Sequence, residues 1–298
     1  MKYDALHEQL EKEGRFDQYT VPFNTSNTVK VDKSYIYLDK KWYKKLLRGF
    51  DIAVMAALGP LLNKIWYGLK TEGRENKKML KKSGAVTISN HVLTLDSLII
   101  KQTFGFARTY MTGAKHNNKR GLGGDILRAG GFLPLNGDFA AYKNLIAASS
   151  YLLKNGKFVH FNPEQAMWIG YEKPRPFKPG AFKFAVNNNV PVLPMIILFG
   201  RPKGLRKLLH MPRPVTVKIL KPLYPDLTLD KHLRSIDLLK RAQDEYKTAY
   251  EEYYKKPLTY LCGDISPFYA NSGELSAEKK PAVFCAEEEA EFRAADIN

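Results

Sequence analysis

The stretch Ala85-Val86-Thr87-Ile88-Ser89-Asn90-His91-Val92-Leu93-Thr94-Leu95-Asp96 decides how the rest of the chain is read. Its first five residues form a short, largely apolar and β-branched run of the kind that fills a buried strand. The run then stops and delivers a histidine, with an aspartate five residues later. A neutral imidazole takes up a proton near pH 7, and a carboxylate beside it fixes its tautomer and steadies the imidazolium. His91 and Asp96 are therefore the candidate catalytic pair. The chain carries its own control. His232 and Asp237 share the spacing inside Asp230-Lys231-His232-Leu233-Arg234-Ser235-Ile236-Asp237, which has the pattern of a solvated helix. Only the first pair lies at the end of an apolar strand, where α/β proteins place their sites.

Outward from this stretch, apolar runs predict further strands at 109–112, Phe132–Leu135, Phe158–Phe161, Val192–Phe199 and 215–220. Helical patterns fall between them, notably over 138–154 and 182–188. Leu229, Leu233, Ile236, Leu239, Ala242, Tyr246, Tyr250 and Tyr253 then recur at three- and four-residue steps, the signature of one amphipathic closing helix whose tyrosines are core. Strands alternating with helices imply an α/β domain with a largely parallel or mixed sheet covered by helices. His160, one step before the end of its strand, reads as a satisfied core histidine.

Ahead of this body, Lys41, Lys44, Lys45 and Arg48 lead into an apolar segment, then Gly59-Pro60, then Leu61-Leu62-Asn63-Lys64-Ile65-Trp66-Tyr67. This predicts a helix broken at Gly-Pro. Its cationic approach and terminal Trp/Tyr suit an amphipathic element at a membrane interface, and the same pattern suits a helix packed on the domain. The longest uncharged apolar run, 52–63, falls short of the roughly 20 residues needed to span a bilayer. The expected organisation is an extension over 1–40, the interfacial segment over 41–67, the α/β domain over 68–256 and an acidic, mobile tail over 257–298. That tail leaves a body even more basic than the overall net charge of +17. Such an excess points to a polyanionic partner: nucleic acid, an anionic bilayer or phosphate-bearing substrates. Cys262 and Cys285 are the only cysteines, so no disulfide framework or metal cluster is expected and a reducing compartment fits.

A second informative stretch is Phe158-Val159-His160-Phe161-Asn162-Pro163-Glu164-Gln165-Ala166-Met167-Trp168. Another apolar strand ends abruptly here, in Pro-Glu. A carboxylate in that place can accept hydrogen bonds from substrate hydroxyls lying across the strand ends. Lys178, in the turn that opens the next helix, is a candidate anion contact beside a helix N-terminus.

Taken in order, these residues resemble the glycerolipid acyltransferase family, whose best-known members acylate lysophosphatidic acid. Four blocks carry the resemblance: Asn90-His91 with Asp96, Gly130-Gly131-Phe132-Leu133-Pro134-Leu135-Asn136, Asn162-Pro163-Glu164-Gln165, and Val190-Pro191-Val192-Leu193-Pro194. Each is weak alone, but the ordered set, within roughly residues 45–250, is specific. The resemblance implies transfer of an acyl group from acyl-CoA or acyl carrier protein to the hydroxyl of a lipid acceptor, a lysophospholipid such as 1-acylglycerol-3-phosphate. No bound cofactor is implied. His91 would be the general base, oriented by Asp96, attack on the thioester would be direct, and backbone N–H groups at the start of the following helix would receive the oxyanion. Asn90, Asn136, Glu164, Gln165, Lys115 and Lys178 form the implied substrate-binding set. The expected location is peripheral, on the cytoplasmic face of an anionic membrane.

Two departures bear on the acceptor. Relatives carry arginines where this chain has Asn136 and Met167, and guanidinium groups are what grip a phosphate bidentately. Lys115, Lys173, Arg175 and Lys178 are candidate replacements; otherwise the acceptor is a different lipid or a sugar. Two other classes compete with the enzyme reading. A basic nucleic-acid-binding protein would need a recognisable motif, which the chain lacks. An acyltransferase-like membrane-binding protein without activity is the second.

Overall fold

The computed structural model describes residues 3–39, 41–135 and 138–265. Asn136 and nearly all of the acidic tail lie outside the described residues. The strands are β1 Lys70–Glu72, β2 Ala85–Ser89, β3 Thr109–Ala114, β4 Phe132–Leu135, β5 Phe158–Phe161, β6 Val192–Phe199 and β7 Val215–Ile219. They form one sheet in the order β1-β7-β6-β2-β5-β3-β4. All pairings are parallel except β6–β7, which is antiparallel. β2 and β6 are buried along their whole length because helices cover both faces, which is why β6 reads as an unbroken apolar run and β2 as a largely apolar one. Every expected strand is present. β1 is an addition: it is polar and sits exposed at the sheet edge, so it carries no apolar signal.

The helices are α1 Asp4–Lys12, α2 Trp42–Tyr67, α3 Arg74–Lys78, α4 Asp96–Phe104, α5 Leu122–Ala129, α6 Phe139–Lys154, α7 Gly180–Asn188, α8 Gly204–Leu208 and α9 Lys231–Tyr254. One face of the sheet packs on Leu145 and Leu152 of α6, Phe182 of α7, and Leu238 and Tyr246 of α9. The other packs on Tyr67 of α2 and Ile99, Ile100 and Phe104 of α4. Asp138 and Asp230 cap α6 and α9 by accepting from backbone N–H groups of the first turn, which fixes where both helices begin. Tyr246 reaches the sheet centre, its hydroxyl donating to the Met195 carbonyl at 2.6 Å. The tyrosines at 246 and 250 are thus core, as their spacing implies.

Three expectations change. The helix at 42–67 is not broken at Gly59-Pro60 but runs through Pro60, because Gly59 packs closely on the domain. A Cβ at Gly59 would sit 3.0 Å from the Phe106 ring and 3.1 Å from Leu98, so glycine lets α2 lie against α4. A stripe including Gly59, Asn63 and Tyr67 is buried, whereas Trp42, Leu46, Phe50, Leu58, Leu61, Leu62, Ile65 and Trp66 are exposed. Ile52 and Met55 lie nearer the domain side, half-buried. The packed-helix reading thus holds for the buried stripe, and the exposed apolar side is compatible with the interfacial one. Among the described residues it is the one helix long and apolar enough to cross a membrane by length and composition.

Second, residues 1–40 are not a bare extension. Leu10 at the end of α1, with Phe16, packs on Trp168 and Tyr171 in a separate cluster. Third, the start of the tail joins that cluster through Ile265, and the Leu261 amide donates to Glu11. The packed domain therefore extends past 257 to the last described residue.

Candidate active site

β2 lies at the middle of the sheet, between β5 and β6, and its C-terminal end is locked by the next residue. The Asn90 side chain accepts from the Ile197 amide at 2.8 Å and donates to the Ile197 carbonyl at 2.9 Å. This amide bridge holds the strand end to β6. It also corrects the expected substrate contact: Asn90 is fully buried with both amide atoms occupied. The chain then turns outward at His91, and Asp96 arrives in the first turn of α4. His91 Nδ1 is hydrogen-bonded to Asp96 Oδ2. The imidazole is 27% exposed while the carboxylate is 7% exposed. An Asp–Nδ1 hydrogen bond commits that nitrogen and leaves Nε2 for an incoming proton donor.

Behind the pair, His160 is fully buried and bonded to Thr87 at 2.9 Å and Ser89 at 3.2 Å. It is the satisfied core histidine expected from the sequence. Burial first, and the neighbouring His91 second, push its pKa down to about 3. The sign follows. The unfolded chain's histidine binds a proton near pH 6.5 and the folded one does not, so stability falls as pH drops through the window from about 6.5 towards 3. We expect urea unfolding free energies to decline on acidification with a contribution from His160 of up to about 1.4 kcal/mol per pH unit. His160→Gln should flatten that slope, and an identical slope in the variant would contradict this origin.

Glu164 stands elsewhere than the sequence predicts. It faces inward, and its side chain and that of Arg175 are both 0% exposed. Glu164 Oε2 accepts from Arg175 Nη2 at 2.8 Å and from the His91 backbone amide at 3.2 Å, while Oε1 accepts from the Arg175 amide at 2.9 Å. The expected substrate contact is thus a clamp on the His91 backbone. The physical reason is the buried cation beside it. Arg175 also donates to the carbonyls of Phe16 and Ala166 and lies over the Trp168 ring. It is therefore excluded as a phosphate grip.

The loop after β5 is fastened to the same segment. The Trp168 amide donates to the His91 carbonyl at 3.0 Å, and the Gly170 amide to the Val92 carbonyl at 2.9 Å. Gln165 is exposed at the turn of this loop, with φ 62°. The N-terminal segment holds the loop from outside: Thr20 donates to the Met167 carbonyl, Trp168 Nε1 to the Gln18 carbonyl, and His7 stacks on the Trp168 ring at 5.0 Å. The sequence offers Arg175 only as a phosphate grip, and its role in the clamp, Trp168 and this strap were missed. The one available signal was Arg175 between Pro174 and Pro176, an arginine whose backbone is held extended by its neighbours.

The remaining cationic candidates separate. Lys173 is paired with Glu11 at 2.5 Å and Lys178 with Asp17 at 3.1 Å, so both are committed to the N-terminal segment. Lys115 follows β3 directly and is half-buried at the C-terminal edge of the sheet, the edge that carries His91. His232 is exposed and Asp237 is paired with Arg241, so the control pair never meets. Among the described residues no group of three His, Cys, Asp or Glu side chains could hold a metal ion.

Residues 69–198, the sheet from just before β1 to the end of β6, match the family model described as Acyltransferase. Among solved structures, the crystal structure of the 1-acyl-sn-glycerophosphate (LPA) acyltransferase PlsC from Thermotoga maritima superposes with a TM-score of 0.53 at 21% identity. The match covers 75% of this chain and 87% of that one. No curated protein matches the chain by sequence.

Proposed function

We propose that this chain, whose residues 69–198 match the Acyltransferase family model, moves a fatty acyl group from an acyl thioester to a hydroxyl of a lysophospholipid or related lipid. Coenzyme A or acyl carrier protein would carry the donor. The observation that carries the reading is the His91–Asp96 pair at the end of the central strand, half-open on the imidazole side and closed on the carboxylate side. His91 Nε2 takes the proton from the acceptor hydroxyl, whose oxygen attacks the thioester carbonyl. The tetrahedral intermediate collapses with cleavage of the C–S bond, and the leaving thiolate recovers the proton from the imidazolium. Asp96 steadies that imidazolium while it exists. Incubating the purified protein with an acyl-CoA and mixed lysolipid acceptors, with products resolved by mass, tests the reading. The absence of any acylated product would favour a membrane-binding relative without activity.

The acceptor follows from what replaces the two family arginines. Met167 carries no charge, and its carbonyl is held by Thr20; Asn136 is neutral as well. A phosphomonoester in that place loses charge-assisted hydrogen bonds worth about 1.5–3 kcal/mol each. We therefore expect lysophosphatidate to compete poorly against a phosphodiester lysolipid or a glycolipid in one reaction. Strong preference for lysophosphatidate would reverse this. It would point to Lys115, which lies at the edge of the sheet that carries His91.

The exposed apolar side of α2, with Lys41, Lys44 and Lys45 at its start, would rest on an anionic leaflet. Each basic residue near the surface adds roughly 1 kcal/mol to that attachment.

A further inference from the structure

The antiparallel hairpin β6–β7 projects where the parallel strands stop. β6 runs beside β2 with Ser89 opposite Met195, so 196–199 continue past the end of β2. At about 3.3 Å per residue the extension is roughly 13 Å. It leaves the sheet on the edge that carries His91. The tip, residues 200–214, contains Arg201, Lys203, Arg206, Lys207 and Arg213 and no carboxylate of its own; Arg213 pairs with Glu172 at 2.7 Å, while Arg201, Lys203 and Lys207 are exposed. Short α8 within it and the residue that follows present Leu205 at 67%, Leu208 at 72% and Leu209 at 58% exposure. Three leucines left in water on one projecting turn are a cost that the domain's own core does not recover.

This tip is not independent of α2. Arg206 donates to the Ile65 carbonyl at 2.7 Å and to the Trp66 carbonyl at 2.6 Å, the last turn of α2, and to the Pro212 carbonyl at 3.0 Å. One guanidinium thus fastens the tip of the hairpin to the end of α2, where Ile65 and Trp66 are themselves exposed. Leu95, in the turn between His91 and Asp96, is exposed too.

We propose that the β6–β7 tip is a second membrane-insertion element, whose leucines enter an anionic phospholipid leaflet beside the end of α2 and set the His91 edge against it. The proposal rests on the functional reading above for its purpose but not for its evidence. The occupant is chosen by the chemistry of the tip: the exposed cations Arg201, Lys203 and Lys207 match a surface of lipid phosphates, and the exposed aliphatic side chains beside them match acyl chains. Arg206 is the hinge of the arrangement. With both α2 carbonyls satisfied by it, tip and helix present their apolar side chains together.

Sedimentation with phosphatidylcholine–phosphatidylglycerol vesicles tests this. Leu205→Asp/Leu208→Asp should bind at least about tenfold more weakly than the parent, as expected when inserted apolar area is lost. Its unfolding midpoint should be unchanged, and so should its turnover of a short-chain, monomerically soluble acceptor; turnover of acceptor embedded in vesicles should fall with binding. Leu208→Trp provides a conservative reporter, whose added emission should shift to the blue and be quenched by brominated lipid. Parent-like vesicle binding by the double variant would overturn the proposal. If the double variant fails to fold, the reporter decides, and an unshifted spectrum would overturn the proposal equally. Failure of the functional reading shows up separately, as absence of turnover in the parent on every acceptor while the vesicle measurements still report on the tip.

Discussion

His91→Ala should lower acyl transfer by at least about 10²-fold, and by as much as about 10⁴-fold, the range over which a positioned general base contributes. The loss should fall on kcat, because the imidazole acts on the acceptor proton and does not hold the donor. The two backbone hydrogen bonds that hold residue 91 survive this substitution, while the Nδ1 bond to Asp96 is lost. The His91 amide donates to Glu164 and its carbonyl accepts from Trp168, and alanine retains both. Unfolding should therefore shift mainly by the cost of leaving the nearly buried Asp96 carboxylate without its imidazole partner, about 1–3 kcal/mol. Asp96→Asn should also reduce turnover, since an amide cannot stabilise the imidazolium as a carboxylate does. His232→Ala, with the same sequence spacing to an aspartate but an exposed place on α9, should leave the rate unchanged. Equal activity in the His91 and His232 variants would remove His91 from the mechanism.

The sheet was legible because its central strands are buried on both faces. Residues 192–199 have no polar interruption and 85–89 carry only the small Thr87 and Ser89, and the structure places strands within those bounds. The pairing of His91 with Asp96 was equally legible, because a strand end and a helix start joined by only residues 90–95 leave little freedom in where the two side chains go. What escaped was everything decided by contacts distant in sequence. Glu164 reads as an exposed carboxylate at a strand end until Arg175, eleven residues away, turns it inward. The N-terminal residues show no clear period because α1 is nine residues long and owes its place to Trp168, not to a wide apolar face of its own. The break expected in α2 followed from the general rule that proline ends helices. Packing overrode the rule, with Gly59 against Leu98 and Phe106 holding the helix on course.

That long-range clamp carries the second large effect. Glu164→Gln preserves shape and removes charge, leaving the Arg175 guanidinium buried with only carbonyl partners at Phe16 and Ala166. Removing one member of a buried ion pair costs about 3–5 kcal/mol, because the uncompensated charge stays in a medium that cannot solvate it. Part of this is offset here by the two carbonyls, so a loss near 3 kcal/mol in urea unfolding is expected. Arg175→Met should destabilise comparably by stranding the carboxylate. The double variant Glu164→Gln/Arg175→Met should recover part of the loss, since neither charge then remains to be solvated. Catalysis should respond as well. Oε2 of Glu164 receives the amide of His91 directly, so weakening that bond loosens the residue whose side chain does the chemistry. A displacement of even 1 Å at such a group can cost about 10²-fold. The loss should appear in kcat, measured well below the unfolding temperature, with little change in KM. The alternative makes the opposite forecast. If Glu164 instead contacts the acceptor hydroxyls, Glu164→Gln should raise KM for the acceptor and leave unfolding untouched, and that pair of results would refute the clamp.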